Sequence, residues 1–193
     1  MLGMFKTLVA AGLLSVVAAL PADTSAKCVP TADTCRPFGL VQGNSSSYFI
    51  QSTGSPNLVW QAEDVTPTSF GFIDLAPKAS ATNSQLWAIQ GFNRHDSFSF
   101  VSKGPTSNVC ANGDGGPLDT NACDTVFNTI ATDQDAQFFI TCQTCGSTSA
   151  TGCQFQSAGE GQCASFLNKQ QTTVKLDDCV NTAPHQLWDI VSA

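Results

Sequence analysis

Charge, basic residues and histidine are all scarce in this sequence. Only 12% of its 193 residues are charged, which is about half the usual content. Eight Lys and Arg residues stand against 15 Asp and Glu residues, which gives a net charge of −7. This balance excludes electrostatic binding of nucleic acid or anionic lipid. The two histidines, His95 and His185, leave few options for metal binding or triad catalysis.

Long apolar runs and helical periodicity are missing as well. No apolar stretch is long enough to cross a bilayer, so we expect no membrane span. No long segment repeats its apolar residues at helical spacing, so we expect almost no helix. The hydrophobic fraction of 42%, with 13 Phe, nevertheless permits a packed core and excludes wholesale disorder.

The first residues are typical of a secretory signal peptide. Lys6 supplies a positive charge, and an apolar run follows from Leu8 to Leu20. Small residues at Ala18 and Ala19 suit signal peptidase, so residues 1–19 are predicted to be removed. An N-terminal membrane anchor is the alternative, and the shortness of the run disfavours it. Loss of Lys6 would change the net charge from −7 to −8, so we expect a secreted, acidic protein whose residues 20–34 form an N-terminal arm.

Secretion changes how the nine cysteines are interpreted. In an oxidising compartment they are disulfide partners first and metal ligands second. Cys142 and Cys145 form a Cys-x-x-Cys, but neither a second tight pair nor a βαβ context accompanies it, so we expect no metal and no cofactor. A disulfide between Cys28 and Cys35 is predicted to tether the N-terminal arm to the domain. The sequon at Asn44 predicts a glycosylated surface loop.

A threefold internal repeat organises the rest of the chain. Gln-x-aromatic elements begin at Gln85, Gln137 and Gln186, which are 52 and 49 residues apart. A second landmark, after a Gly-containing turn, recurs in the same phase. It consists of Trp60, Cys110 and Cys163, which are 50 and 53 residues apart. Two landmarks with one period indicate three structural repeats.

Each repeat carries about four short strands with alternating apolar residues. The third strand is Phe72–Leu75 in repeat one and Thr173–Leu176 in repeat three, with Val126–Phe127 at the matching distance in repeat two. We therefore predict about twelve strands in one domain of residues 35–193, with repeats at about 36–90, 91–141 and 142–193. A closed antiparallel barrel is favoured over a three-bladed propeller. The predicted core aromatics are Trp60, Trp87, Phe139 and Trp188.

The Gln-x-Trp elements at this period resemble the ricin B-chain lectin family, whose fold is the β-trefoil. The resemblance covers roughly residues 35–191 and implies a non-catalytic, carbohydrate-binding protein. It also implies the disulfide Cys163–Cys179 and, in the matching place of repeat two, Cys110–Cys123. One of Cys142, Cys145 and Cys153 would then be unpaired or bonded between chains.

Family lectins hold a sugar with an Asp shortly after the first cysteine of a repeat, a stacking aromatic, and an Asn before the Gln. This pattern is poorly kept here, which predicts weak binding or a changed specificity. Two polar patches are the candidate carbohydrate sites. One comprises Asn112, Asp114 and Asp119; the other comprises Asp177, His185 and Gln186.

Other functions are weighed against this hypothesis. The sequence has neither a nucleophile elbow nor a phosphate-binding loop, and its adjacent carboxylate pairs would point to opposite faces of a strand, so we do not expect an enzyme. A β-trefoil inhibitor of a secreted protease is one alternative, with candidate loops at 64–69 and 113–121. A secreted interaction or effector protein whose sugar sites have decayed is the other.

Overall fold

Short alternating segments form strands throughout the part of the chain that the structure describes. This computed structural model describes residues 34–41, 46–63, 71–79, 82–92, 96–104, 109–123, 134–166 and 172–193. The predicted signal peptide, nearly all of the predicted arm and the sequon at Asn44 lie outside the described residues. Within them the chain is all-β, with thirteen strands and three single-turn 3-10 helices. The predicted all-β class with almost no helix is confirmed.

The strands are rich in β-branched and aromatic residues, which favour the pleated, half-buried backbone. Their bounds are β1 Tyr48–Ser52, β2 Ser55–Ala62, β3 Gly71–Pro77, β4 Trp87–Phe92, β5 Ser97–Ser102, β6 Val109–Asn112, β7 Asp119–Ala122, β8 Phe138–Thr141, β9 Thr144–Cys145, β10 Ser149–Ser157, β11 Cys163–Ser165, β12 Lys175–Asp177 and β13 Trp188–Ser192. The 3-10 helices are Phe38–Leu40, Asn83–Gln85 and Pro184–Gln186.

Six of the strands pair in a closed antiparallel ring. The order is β1, β4, β5, β8, β10 and β13, and β13 pairs with β1 to complete it. Closure leaves the ring without free edges. Three hairpins, β2–β3, β6–β7 and β11–β12, extend from it. The strand that pairs with β6 in repeat two is β7, and the predicted position at residues 126–127 lies outside the described residues.

The ring repeats the same cross-strand pair three times. In each case the last strand of one repeat places a buried aromatic residue opposite a buried serine on the first strand of the next repeat. The pairs are Trp87 with Ser102, Phe138 with Ser157, and Trp188 with Ser52. Because all three pairs occupy equivalent places, they fix the alignment of the repeats more sharply than the sequence landmarks do.

Phe139 is not the core aromatic of repeat two, and this prediction is wrong. Phe138 is fully buried, whereas Phe139 is only partly buried. Trp87 and Trp188 stand two residues after their glutamines, but β8 begins directly after Gln137. Repeat two is thus one residue shorter between its Gln and its core aromatic residue. Trp87 and Phe138 are 51 residues apart, and Phe138 and Trp188 are 50 residues apart.

Trp60 lies at the centre of the core. Its ring centroid is 6.0 Å or less from those of four other aromatic rings, all in edge-to-face geometry. These rings belong to Trp87, Phe100, Phe155 and Trp188. All four side chains and Trp60 itself are fully buried.

Strand register aligns Trp60 with alanines rather than with cysteines. In repeats two and three, the first cysteine of the hairpin lies opposite the residue before the buried serine of the first strand. The position of these cysteines in repeat one is held by Val59. The three pairs are Val59 with Gln51, Cys110 with Val101, and Cys163 with Gln156. Trp60 therefore corresponds to Ala111 and Ala164, and the predicted match with the cysteines is off by one residue. A single large side chain fills space that its two alanine counterparts leave open.

The three hairpins meet in a cyclic set of backbone hydrogen bonds. Ile73 N donates to Leu118 O at 2.9 Å, Leu118 N donates to Val174 O at 2.8 Å, and Val174 N donates to Ile73 O at 2.8 Å. All three side chains are fully buried. This closure satisfies buried backbone groups at the junction and fixes how residues of neighbouring hairpins face each other.

Two disulfides staple hairpins as the resemblance implied. Cys110–Cys123 spans the β6–β7 hairpin, and Cys163–Cys179 spans the β11–β12 hairpin. In the first hairpin the corresponding place is taken by Val59, opposite Ala76. That hairpin is held by its strand pairing and by packing.

The pairing of the other cysteines differs from prediction. Cys35 bonds to Cys145 rather than to Cys28, and Cys142 bonds to Cys153. The reason is a backbone bridge, since Cys35 and Cys142 exchange two hydrogen bonds of 2.9 and 2.8 Å, which bring Cys35 beside the Cys142–Cys145 turn. Neither Cys142, Cys145 nor Cys153 is left over. Cys28 lies outside the described residues.

Candidate functional site

Each hairpin presents an equivalent row of three side chains. The first residue of a row lies on the second strand of a repeat, and the second residue lies opposite it on the third strand. The third residue belongs to a neighbouring hairpin and lies opposite the second residue. The first row is Gln61, Asp74 and Thr173; the second row is Asn112, Asp119 and Phe72; the third row is Ser165, Lys175 and Pro117. Directly opposed residues of antiparallel strands share a face, with Cβ atoms about 4.5–5.5 Å apart.

The rows hold nearly all of the unsatisfied buried polar atoms found in the described residues. Five buried side-chain atoms there have no hydrogen-bond partner, and four of these belong to the rows: Asp74 Oδ1, Asn112 Oδ1, Asp119 Oδ1 and Ser165 Oγ. An unpaired buried polar group costs about 1–3 kcal/mol. Because such atoms recur at equivalent places, the three rows are the candidates for a ligand site.

The second row combines an aromatic ring, a carboxylate and an amide. Phe72 is 49% exposed, one of three large hydrophobic side chains exposed to that degree among the described residues. Asn112 is only 5% exposed, and Asp119 is partly buried between the two. The predicted site residues Asn112 and Asp119 are thus brought together, and Phe72 completes the row from another repeat.

Asp119 is an electrostatically uncompensated carboxylate. Burial raises its pKa above the usual value, a hydrogen bond from the Asn112 side chain acts in the opposite direction, and the negative charge of Asp114 raises the pKa further. Asp114 itself is exposed on the loop after β6. Two residues of the predicted patch, Asn112 and Asp114, therefore both influence the carboxylate of the third, Asp119.

Glu63 borders the row at Phe72. The Glu63 backbone N donates to Phe72 O at 3.2 Å, and the Phe72 backbone N donates to Glu63 Oε2 at 3.2 Å. The Glu63 carboxylate takes the place of a backbone acceptor for Phe72. Phe72 therefore has an acidic residue on each side, Glu63 and Asp119.

Glycines shape the loop that leads from Asn112 to Asp119. A Cβ atom on Gly113 would lie 2.9 Å from Leu176 Cδ1, and Gly115 has a φ of +87°. The Gly113 backbone N donates to Asp135 O at 2.9 Å, and Leu118 is fully buried. The 113–121 segment is thus anchored to the fold at Gly113 and Leu118, while Asp114, Gly115 and Pro117 between them are exposed. The other candidate loop, 64–69, lies outside the described residues.

The other two rows lack the same combination. In the first row, Gln61 Oε1 accepts a hydrogen bond from Gln85 Nε2 at 2.9 Å, and Thr173 stands where the second row has Phe72. In the third row, Lys175 Nζ pairs with Asp177 Oδ2 at 3.4 Å. Of the three rows, only the second offers a free aromatic face beside unpaired acceptors.

The predicted patch in repeat three is largely occupied by the fold itself. Gln186 is 1% exposed; its Nε2 donates to Asp178 O at 2.8 Å and its Oε1 accepts from Val180 N at 2.8 Å. Asp177 accepts from Asp178 N at 3.1 Å in addition to its ion pair with Lys175. His185 is exposed on the 3-10 helix before β13. These contacts favour a structural role for Gln186 and leave His185 as the accessible group.

Metal and membrane features are not found in the described segments. They contain no group of three or more His, Cys, Asp or Glu residues that could hold a metal ion. Their helices are too short to cross a membrane. That the protein is not an enzyme stays a prediction.

Comparison with known proteins gives structural relatives but no family. No protein-family model matches the sequence, and no curated protein matches it. Among solved structures, a mosquitocidal holotoxin is similar with a TM-score of 0.59 and 11% identity over 77% of this chain, which corresponds to 17% of the toxin chain. The designed threefold symmetric protein ThreeFoil is similar with a TM-score of 0.56 and 10% identity, over 76% of this chain and 99% of ThreeFoil.

A lectin is also among these structures. The Polyporus squamosus lectin, solved with a human-type influenza-binding epitope, Neu5Aca2-6Galb1-4GlcNAc, is similar with a TM-score of 0.54 and 14% identity, over 75% of this chain and 48% of the lectin chain. At such identities the likeness shows a shared fold. The chain spans less than half of the toxin and lectin chains, so their activities are not carried over with the fold.

Proposed function

We propose that this chain is a secreted β-trefoil protein of the lectin type that binds carbohydrate at the second row, Asn112, Asp119 and Phe72. One observation carries the proposal: Phe72, whose ring is half-exposed, is the strand partner of Asp119, and Asp119 is in turn the strand partner of Asn112, whose amide oxygen has no hydrogen-bond partner. A sugar ring needs this set of groups. Its apolar C–H face stacks on an aromatic plane, and its hydroxyls donate to carboxylate and amide oxygens.

The arrangement also supports a changed specificity. The resembling family places an Asp shortly after the first cysteine of a repeat, whereas here Asn112 stands two residues after Cys110 and the carboxylate lies across the hairpin at Asp119. The stacking aromatic comes from the neighbouring repeat. The carboxylate thus lies on the third strand of the repeat rather than on the second, so the hydroxyls that the site selects should differ from those selected by the family.

Secretion is supported by the disulfides. Four bonds among the described cysteines fit an oxidising compartment. The closed ring, the three hairpins and the likeness to ThreeFoil support the β-trefoil. The likeness to a glycan-bound lectin supports a carbohydrate ligand.

A glycan array probed with three proteins tests the proposal. These are the wild type, Phe72→Ala and the matched control Phe38→Ala, which removes another exposed ring, 53% exposed. We expect the wild type and Phe38→Ala to bind the same glycans and Phe72→Ala to lose them. Wild-type binding that survives in Phe72→Ala would move the site elsewhere. No glycan bound by folded wild-type protein would favour the interaction or effector protein.

A further inference from the structure

The second row holds two oxygen acceptors that have no hydrogen-bond partner. Asn112 Oδ1 and Asp119 Oδ1 are both buried and unpartnered, and the Asn112 side chain already hydrogen-bonds the Asp119 carboxylate. Two unpartnered acceptors on opposed residues favour a ligand that brings several donors to one point. A hydroxyl brings one donor, whereas an ammonium group brings three.

The charge around Phe72 points the same way. Phe72 has an acidic residue beside it on each neighbouring segment of the chain, Glu63 and Asp119, and the negative charge of Asp114 acts on Asp119. No residue of the second row is basic. The neighbouring basic residue across the junction, Lys175, is opposite Pro117 and pairs with Asp177. The second row therefore contains no basic side chain that could neutralise the charge of Asp119.

Phe72 itself suits a cation. The face of an aromatic ring attracts an ammonium group, and hydrogen bonds between an ammonium and a carboxylate are about twice as strong as neutral ones. A sugar carboxylate such as that of sialic acid would instead meet Glu63, Asp114 and Asp119 as like charges. The row thus differs from a site that accepts an acidic glycan.

We propose that the second row selects sugars that carry a free, protonated amine, such as β-linked glucosamine oligosaccharides, over their N-acetylated and acidic counterparts. This inference rests on the proposed carbohydrate function and names its ligand class. Acetylation removes the positive charge and two donors while it keeps the sugar ring. The N-acetylated oligosaccharide is therefore the matched neutral ligand.

Isothermal titration calorimetry at about pH 6, where an amine of ordinary pKa is protonated, measures the selection. The probes are short glucosamine oligosaccharides, the N-acetylated oligosaccharides of equal length, and a sialylated trisaccharide. We expect the amine form to bind at least about tenfold more tightly than the neutral form at low salt, since the added hydrogen bonds are charge-assisted. The advantage should shrink in high salt, and the sialylated sugar should not bind.

Two substitutions of equal charge change separate the row from general electrostatics. Asp119→Asn should remove the preference for the amine while Asp74→Asn, at the equivalent place of the first row, should leave it intact. Equal loss in both variants, or equal affinity of wild type for both oligosaccharides, overturns the inference. If another neutral glycan binds through Phe72 in that case, the proposed function stands. If no sugar binds at all, both fail.

Discussion

The register predicts that the Trp60 side chain occupies core space that is also adjacent to its counterparts Ala111 and Ala164. This prediction can be tested by placing the tryptophan in repeat three instead of repeat one. Trp60→Ala removes a fully buried side chain that contacts four aromatic rings. Truncations of this kind cost about 3–5 kcal/mol. Ala164→Trp, at the corresponding position of repeat three, adds the same volume to a filled space and should cost about 1–3 kcal/mol or more.

The double variant Trp60→Ala/Ala164→Trp decides whether the two positions share the space. Independent positions would give a summed loss of about 4–8 kcal/mol. If the indole introduced in repeat three fills the cavity left by Trp60, the double variant should be more stable than the sum by about 2 kcal/mol or more. Guanidinium denaturation of the four proteins measures the coupling through their unfolding midpoints.

A control guards against general compensation. Ala88 is also fully buried but belongs to a separate small cluster with Val101, Cys110 and Cys123. Ala88→Trp combined with Trp60→Ala should show no rescue. Additive losses in the pair of substitutions at Trp60 and Ala164, or equal rescue by Ala88→Trp, would refute the alignment of Trp60 with Ala164.

Three further predictions concern the core, the site and the cysteines. Phe138→Ala should cost about 3–5 kcal/mol, and its neighbour Phe139→Ala clearly less, because only Phe138 is fully buried; equal losses in urea denaturation would restore Phe139 to the core. Asp119→Asn should stabilise the protein at neutral pH, because the folded-state pKa of Asp119 is raised and its ionisation therefore opposes folding as pH rises above the ordinary value of 3.8. The gain should vanish below that pH, and a constant difference from acid to neutral pH would contradict the assigned cause. Non-reducing peptide mapping should recover Cys35 linked to Cys145 and Cys142 linked to Cys153; a Cys28–Cys35 peptide would overturn this pairing.

The sequence predicted the repeat but not its register. Period and Gln elements suffice to find three units of short strands. They do not reveal that repeat two lacks one residue before β8, because Phe138 and Phe139 are both apolar and either satisfies the pattern. The position of Trp60 was missed for a similar reason. Only cross-strand pairing shows that its counterparts are small.

Phe72 was missed as a site residue because the row joins two repeats that are distant in sequence. A signal was present within β3, where Phe72 and Asp74 share one face while Ile73 and Leu75 share the other. Since Asp74 faces away from the core, Phe72 must do so too. What the sequence could not supply is the neighbour, since the pairing of Phe72 with Asp119 depends on how the hairpins meet.

The central claim is that carbohydrate binds across the hairpins at Phe72, Asp119 and Asn112. Two-dimensional NMR of the isotopically labelled protein, titrated with a glycan selected on the array, tests it most directly. We expect the largest shifts at the backbone amides of these three residues and of Asp114, with those of Asp177 and His185 unchanged. Shifts confined to Asp177 and His185, or spread evenly over the barrel, would contradict the account.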